Sequence, residues 1–194
     1  MKFSISSSEL NKGLSNIIGA VPNKATLPIL ETILCQSEKS SIKLSATDLE
    51  ISIIQHVQAD IEEPGSIAIP ARRLLETLRQ LPNITVFFEV DDRNNILFKT
   101  DKGTYKLVGD NADDFPEVPD LIDGTTIKTK TKVVQQAINK TLFAVSNDDL
   151  RPAMMGVYFQ LGPNASQFVS TDGHRLVRYS AVSYTHLTLP TTWL

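Results

Sequence analysis

The chain has 194 residues, 41% of them hydrophobic and 21% charged, with a formal net charge of -3. That composition suits one large domain, or a medium domain and part of another, and excludes a disordered chain. A single cysteine, Cys35 in an apolar run, excludes an intrachain disulfide framework and reads as a small buried hydrophobe. The opening "MKFSISSSELNKGL" has no apolar stretch fit for a signal peptide, and no run approaches the ~20 apolar residues of a membrane span. The expectation is a cytoplasmic, non-membrane protein. The acidic balance gives no bulk signal for nucleic acid, although one surface of an acidic protein can still be basic.

In chain order, residues 2–6 read as a strand. Ser6 with Glu9 has the spacing of a capping box and starts a helix to about Ala20. Strands are predicted near 29–36, 41–46 and 49–58, then at "GSIAIP". Pro70 ends that strand and precedes a second helix, "ARRLLETLRQL". Its stripe of Leu74, Leu75, Leu78 and Leu81 packs, leaving Arg72, Glu76 and Arg79 on the other side. "ITVFFEV", "NILFKT" and "TYKLVG" follow as strands, separated by the polar turns "DDRNN" and "DKG". "FPEVPDLIDG" reads as a proline-rich linker. A strand "TIKTKT", a helix at about 131–145 and strands near 153–161, 166–171 and 175–181 complete the series.

The series repeats. Displacing the chain by 124 residues brings Pro28 onto Pro152, Thr47-Asp48 onto Thr171-Asp172, and Ala20-Val21 onto Ala144-Val145. Leu10, Leu14 and Ile18 fall on Val134, Ile138 and Leu142. The first copy is itself two strand-helix-strand-strand-strand units, and the second copy holds one such unit.

"STDGHRLVRYS", residues 170–180, offers an acid and a histidine close together. A hydrolase using His174 and Asp172 would need a nucleophile or metal and a third partner. No metal-ligand spacing, nucleophile-elbow motif or phosphate loop accompanies the pair. The repeat points elsewhere: Thr-Asp stands in both copies, so Asp48 and Asp172 read as Asx-type turn residues. Gly173-His174 is special to the second copy, where the first has Leu49-Glu50.

"MKFSI", "KATLPILETILCQ", "LSATDLEI", "IPARRLLETLRQLP", "DDFPEVP" and "VSTDGHRL", taken together and in order, resemble the bacterial sliding-clamp family, the beta subunit of DNA polymerase III. The resemblance covers residues 1 to about 181. It implies an α+β DNA-clamp fold of repeated β-α-β-β-β units, with helices lining one face of antiparallel sheets. Residues 1–121 would be the complete first clamp domain and 122–181 the first half of the second. Two subunits of three domains would form a ring around duplex DNA, as a non-catalytic processivity factor without a cofactor. Its partners would be duplex DNA in any sequence, the catalytic subunit of DNA polymerase III, the clamp loader and a second copy of itself.

The resemblance also implies residue roles. Lys24, Arg72, Arg79, Lys132 and Lys140 would meet DNA. Around "DDLRPAMMG" the chain departs from members that carry aromatics at the positions of Pro152 and Ala153. Arg151, Thr171, His174 and Leu176 would line part of a pocket for short hydrophobic partner peptides, the remainder of which lies in a third domain. Arg73, Tyr105 and Leu107 would face the partner subunit's third domain. With that domain outside these 194 residues, neither a closed ring nor a tight homodimer is expected of them. A clamp-fold binding module without a replication role is the alternative reading, and the hydrolase a third. Val182 to about Thr192 resembles a translated sequencing adapter, so 182–194 is expected to be non-native and without function.

Overall fold

The structure is a computed structural model that describes residues 1–101, 103–117, 129–162 and 165–182. The chain divides into two compact units, Met1–Leu121 and Ile122–Leu194.

Among the described residues the first unit contains nine strands: β1 (Lys2–Ser6), β2 (Thr32–Ser37), β3 (Ser41–Thr47), β4 (Ser52–Gln58), β5 (Asp60–Glu63), β6 (Ser66–Pro70), β7 (Thr85–Val90), β8 (Asn95–Thr100) and β9 (Gly103–Val108). Its helices are α1 (Ser7–Ile17) and α2 (Ala71–Arg79). The strands form two antiparallel sheets, ordered β5-β1-β7-β8-β9 and β4-β3-β2-β6. Each half of the sequence repeat thus contributes its first strand to the other half's sheet. β1 pairs with β7, and β6 pairs with β2. Neither half closes its sheet alone.

Apolar alternation fixes the register. Phe3, Phe88, Phe98 and Tyr105 are successive cross-strand partners on β1, β7, β8 and β9. Their rings stack in one row, with centroids 4.8, 5.3 and 4.8 Å apart. Each such pair contributes about 0.5–1.5 kcal/mol beyond area burial. The helices close the core with Leu10, Leu14 and Ile17 from α1 and Leu74, Leu75 and Leu78 from α2, all buried. Helix α1 also packs close to β4, where Gly13 leaves room for Val57.

The second unit holds α3 (Thr131–Thr141) and a three-stranded sheet of β10 (Tyr158–Gln160), β11 (Ala165–Thr171) and β12 (Leu176–Val182). The repeat is exact in register: Cys35 faces Leu44 in the first unit as Phe159 faces Phe168 in the second. Thr47 likewise faces Ser52 as Thr171 faces Leu176. The edge of β2 is covered by β6, whereas β10 is an edge strand among the described residues and its three residues are exposed.

Several local expectations change. Ser6 makes no capping box; its hydroxyl bonds Ser8 Oγ at 2.9 Å and Asn83 Oδ1 at 3.0 Å. The start of α1 is instead held by the 82–84 segment, since Ser7 N donates to Ile84 O and Ile84 N to Ser7 Oγ. Tertiary contacts outrank the local cap. The predicted strand starts at Pro28 and Pro152 are short 3-10 turns, Pro28–Glu31 and Pro152–Met154, because proline fixes φ and lacks a ladder donor. Strand β5 escaped the sequence reading, as its acidic "DIEE" carries little apolar signal. Of "TIKTKT", residues 126–128 lie outside the described residues, 129–130 are not strand, and Thr131 opens α3. The proposed tail begins at the last residue of β12; residues 183–194 lie outside the described residues.

Candidate nucleic-acid interface

α1 and α2 present polar faces because their apolar stripes are buried in the core, while α3 does so with Ala137 buried and Val133, Val134 and Ile138 half-buried. On α1 Lys12, Ser15 and Asn16 are exposed, and on α2 Arg72, Arg73, Glu76 and Arg79. On α3 the exposed residues include Lys132, Gln135, Gln136, Asn139 and Lys140. Asn11 of α1 is half-buried, with Oδ1 unpartnered among the described residues. The first unit's acids are spread over its surface: α1 carries Glu9 and α2 Glu76, and denser groups stand on β5 (Asp60, Glu62 and Glu63) and at the β7–β8 turn (Asp91 and Asp92). In a net-negative chain, the exposed side of α2 sets three arginines against one glutamate and that of α3 carries two lysines and no acid, a local excess that suits phosphate contact.

The fold brings Arg72 to the loop of Lys24. Arg72 Nη2 donates to Val21 O at 3.0 Å, across 51 residues of sequence. That bond ties the guanidinium to the loop while the residue as a whole stays exposed. Lys24 itself is exposed three residues on.

The Thr-Asp turns are built identically in both units. Thr47 Oγ1 accepts from Leu49 N at 3.0 Å, and Asp48 Oδ1 accepts from Glu50 N and Ile51 N at 3.0 and 2.7 Å. Thr171 Oγ1 accepts from Gly173 N at 3.1 Å, and Asp172 Oδ1 accepts from His174 N and Arg175 N at 3.0 and 2.9 Å. Arg175 Nε adds a bond to Asp172 Oδ2 at 2.9 Å. These donors, led by the Arg175 backbone N–H and then that of His174, hold the Asp172 carboxyl down at about 2. Asp48 is lowered by the Ile51 and Glu50 backbone N–H groups. The third residue of each turn has positive φ, 88° at Gly173 and 78° at Leu49. Glycine takes that conformation freely; leucine does so under strain.

This geometry removes the basis of the hydrolase alternative. Asp172 bonds the backbone of His174, and its remaining oxygen is engaged by Arg175. Ser170, the nearest hydroxyl in sequence besides Thr171, is buried and donates to Thr141 O at 2.6 Å. Among the described residues, no group of three or more His, Cys, Asp or Glu side chains could hold a metal. What the turn presents outward is His174 and Leu176, both exposed, beside Arg151. A Cβ added at Gly173 would lie 3.5 Å from Arg151 Nη1, so Arg151 and the turn are neighbours, while Thr171 is half-buried and also donates to Arg175 O.

Two family models match in succession. Residues 1–119, more than half of the chain, match the N-terminal domain of the DNA polymerase III beta subunit, and residues 128–186 match its central domain. This chain belongs to the DNA polymerase III beta-subunit family. The beta sliding clamp of Vibrio cholerae is 33% identical over 177 residues, which span 91% of this chain and 48% of that protein. That of Bacillus subtilis is 30% identical over 184 residues, covering 91% and 49%. A beta-subunit structure from Eubacterium rectale superposes with a TM-score of 0.90 at 31% identity, covering 94% of this chain and 50% of that one. The chain thus spans about half the length of the curated relatives it matches.

The remaining family-implied positions lie in the first unit. Arg73 is exposed on α2. Tyr105 and Leu107 point inward from the edge strand β9 and pack against the core, while Thr104, Lys106 and Val108 point out. Sequence reading missed two contacts of the second unit: Arg175 over the Phe143 ring at 5.6 Å, and Lys140 over the Tyr179 ring at 4.9 Å. The displacement by 124 residues could have found the latter, because it places Lys140 on Asn16 and Tyr179 on Gln55, a hydrogen-bonded pair in the first unit.

Proposed function

We propose that this chain is the DNA-facing first portion of a sliding clamp, which surrounds duplex DNA and holds the replicative polymerase to its template without performing a reaction itself. Residues 1–121 form the first clamp domain and 122–181 the opening half of the second. The observation that carries the reading is the excess of base over acid on the exposed side of α2 in the first unit and of α3 in the second, in a net-acidic chain of this family. Lys24, Arg72, Arg79, Lys132 and Lys140 supply scattered phosphate contacts. None is placed in a groove-reading cluster, so binding is indifferent to base sequence, as sliding requires.

Arg151, Thr171, His174 and Leu176 form one wall of a groove for apolar peptides from the polymerase catalytic subunit and the clamp loader. The exposed Leu176 and the Asp172-braced turn support that role, since peptide grooves combine apolar anchors with few polar groups. Arg73, Tyr105 and Leu107 lie at the edge that meets a second subunit, and β9 supports this with an unpaired outer edge among the described residues. The protein acts in the cytoplasm.

Fluorescence anisotropy with two unrelated 24-base-pair duplexes tests this reading. At about 20 mM salt both bind with the same affinity, within about twofold, and log K falls linearly with log salt. Arg72→Ala and Arg79→Ala each lower that slope by about 1. A strong preference for one duplex, or no binding at low salt, would overturn the reading.

A further inference from the structure

The aromatic row of the second unit ends on a helix lysine. Phe159 and Phe168 meet edge-on with centroids 4.7 Å apart, and Phe168 and Tyr179 follow at 6.2 Å. Phe168 is buried, so Tyr179 rests on a fixed base. Lys140 Nζ lies 4.9 Å from the centroid of the Tyr179 ring. Tyr179 Oη donates to Gln136 Oε1 at 3.5 Å. Gln136 and Lys140 are exposed and stand one helical turn apart, on one face of α3. With its oxygen accepting from the tyrosine, the exposed Gln136 keeps its amide N–H groups as donors. Lys140 makes no ion pair with a carboxylate among the described residues.

The comparison within the chain sharpens this. In the first unit the same two positions hold Asn16 and Gln55, joined by an ordinary side-chain hydrogen bond of 3.2 Å. Either pair ties helix to strand, so stapling α3 to β12 needs no lysine and no aromatic ring. The second unit instead has an ammonium held over a π-face, beside an oriented amide, with no acid paired to it. Two adjacent donors, one charged, fit a phosphodiester oxygen pair.

We propose that Tyr179 is a positioning residue for duplex contact: it holds Lys140 and Gln136 as a paired donor site for a single backbone phosphate. The inference rests on the clamp reading above. It adds a strand residue and a glutamine to a contact surface otherwise made of helix and loop cations.

The test uses the whole 194-residue chain and the 24-base-pair duplex. In free protein, the Lys140 side-chain methylene protons shift upfield under the Tyr179 ring. Tyr179→Gln abolishes that shift; the strand accepts glutamine there, as β4 does at Gln55. Tyr179→Phe keeps the shift. In anisotropy, Tyr179→Gln weakens duplex binding about threefold, the size expected of a lost exposed cation–π contact. Lys140→Ala lowers the salt slope by about 1. In the Lys140→Ala background, Tyr179→Gln costs clearly less than the threefold it costs in the parent, the remainder coming from Gln136. Additive losses in the double variant, or a folded Tyr179→Gln that binds as tightly as the parent, would overturn the inference and leave the clamp reading intact. If Arg72→Ala, Arg79→Ala and Lys140→Ala all bind as the parent does, the clamp reading itself fails.

Discussion

Gly13→Ala should destabilise the chain in its native background and stabilise it once Val57 is shortened to alanine. A Cβ at Gly13 would lie 2.5 Å from Val57 Cγ2, with Leu44 Cδ1 at 3.5 Å and Gln55 Cγ at 3.6 Å. The first distance is about 1 Å inside ordinary carbon contact. Overpacking of that kind costs about 1–3 kcal/mol, and the helix preference of alanine over glycine returns about 1 kcal/mol. The net effect is a loss of about 1 kcal/mol. In Val57→Ala the overlap is gone and the preference remains, so Gly13→Ala then gains about 0.5–1 kcal/mol. The second unit already has this solution, with Ala137 and Ala181 at the corresponding positions. Urea unfolding followed through amide exchange of Ile33 and Ile42, both fully buried, reads the first unit alone. An effect of the same sign in both backgrounds would refute the close-packing argument.

Two further outcomes follow from the ionisable groups. Asp172 is depressed in the folded state, so its turn contributes stability above the ordinary carboxyl range near 3.8 and loses it as pH falls through about 2. Its carboxyl carbon should titrate by NMR with a midpoint near 2, and a midpoint near 3.8 would remove the backbone N–H bonds from the account. Burial pushes the Cys35 thiol up to about 12. It should resist iodoacetamide at pH 8 in the folded chain and react readily in urea, whereas reaction of the folded chain would contradict its burial.

The architecture was legible where periodicity was strong. α1 and α2 declared themselves by apolar spacing, and the stripe of Leu74, Leu75 and Leu78 is the buried stripe. The Thr-Asp turns could be read from the repeat alone, because only a shared backbone role explains their recurrence beside different neighbours. The exchange of β1 and β6 between sheets could not, since pairing partners leave no mark on a single strand's pattern. Nor could the capping of α1 by the 82–84 segment, a contact made across some 75 residues of chain. At the candidate interface, exposed Arg72 and Lys140 were visible as polar positions on amphipathic helices. The anchoring of Arg72 on Val21 and of Lys140 on Tyr179 depends on tertiary placement, which spacing does not encode.

The central claim is that the exposed helix sides of each unit meet DNA. Amide and side-chain NMR shifts, recorded as a duplex of arbitrary sequence is titrated into the labelled chain, measure this. The account predicts perturbations at Lys24, along the exposed sides of α1, α2 and α3, and at Tyr179, unchanged when the duplex sequence is replaced. Perturbations concentrated on β5 and the β7–β8 turn, or a pattern that moves with the sequence, would contradict it.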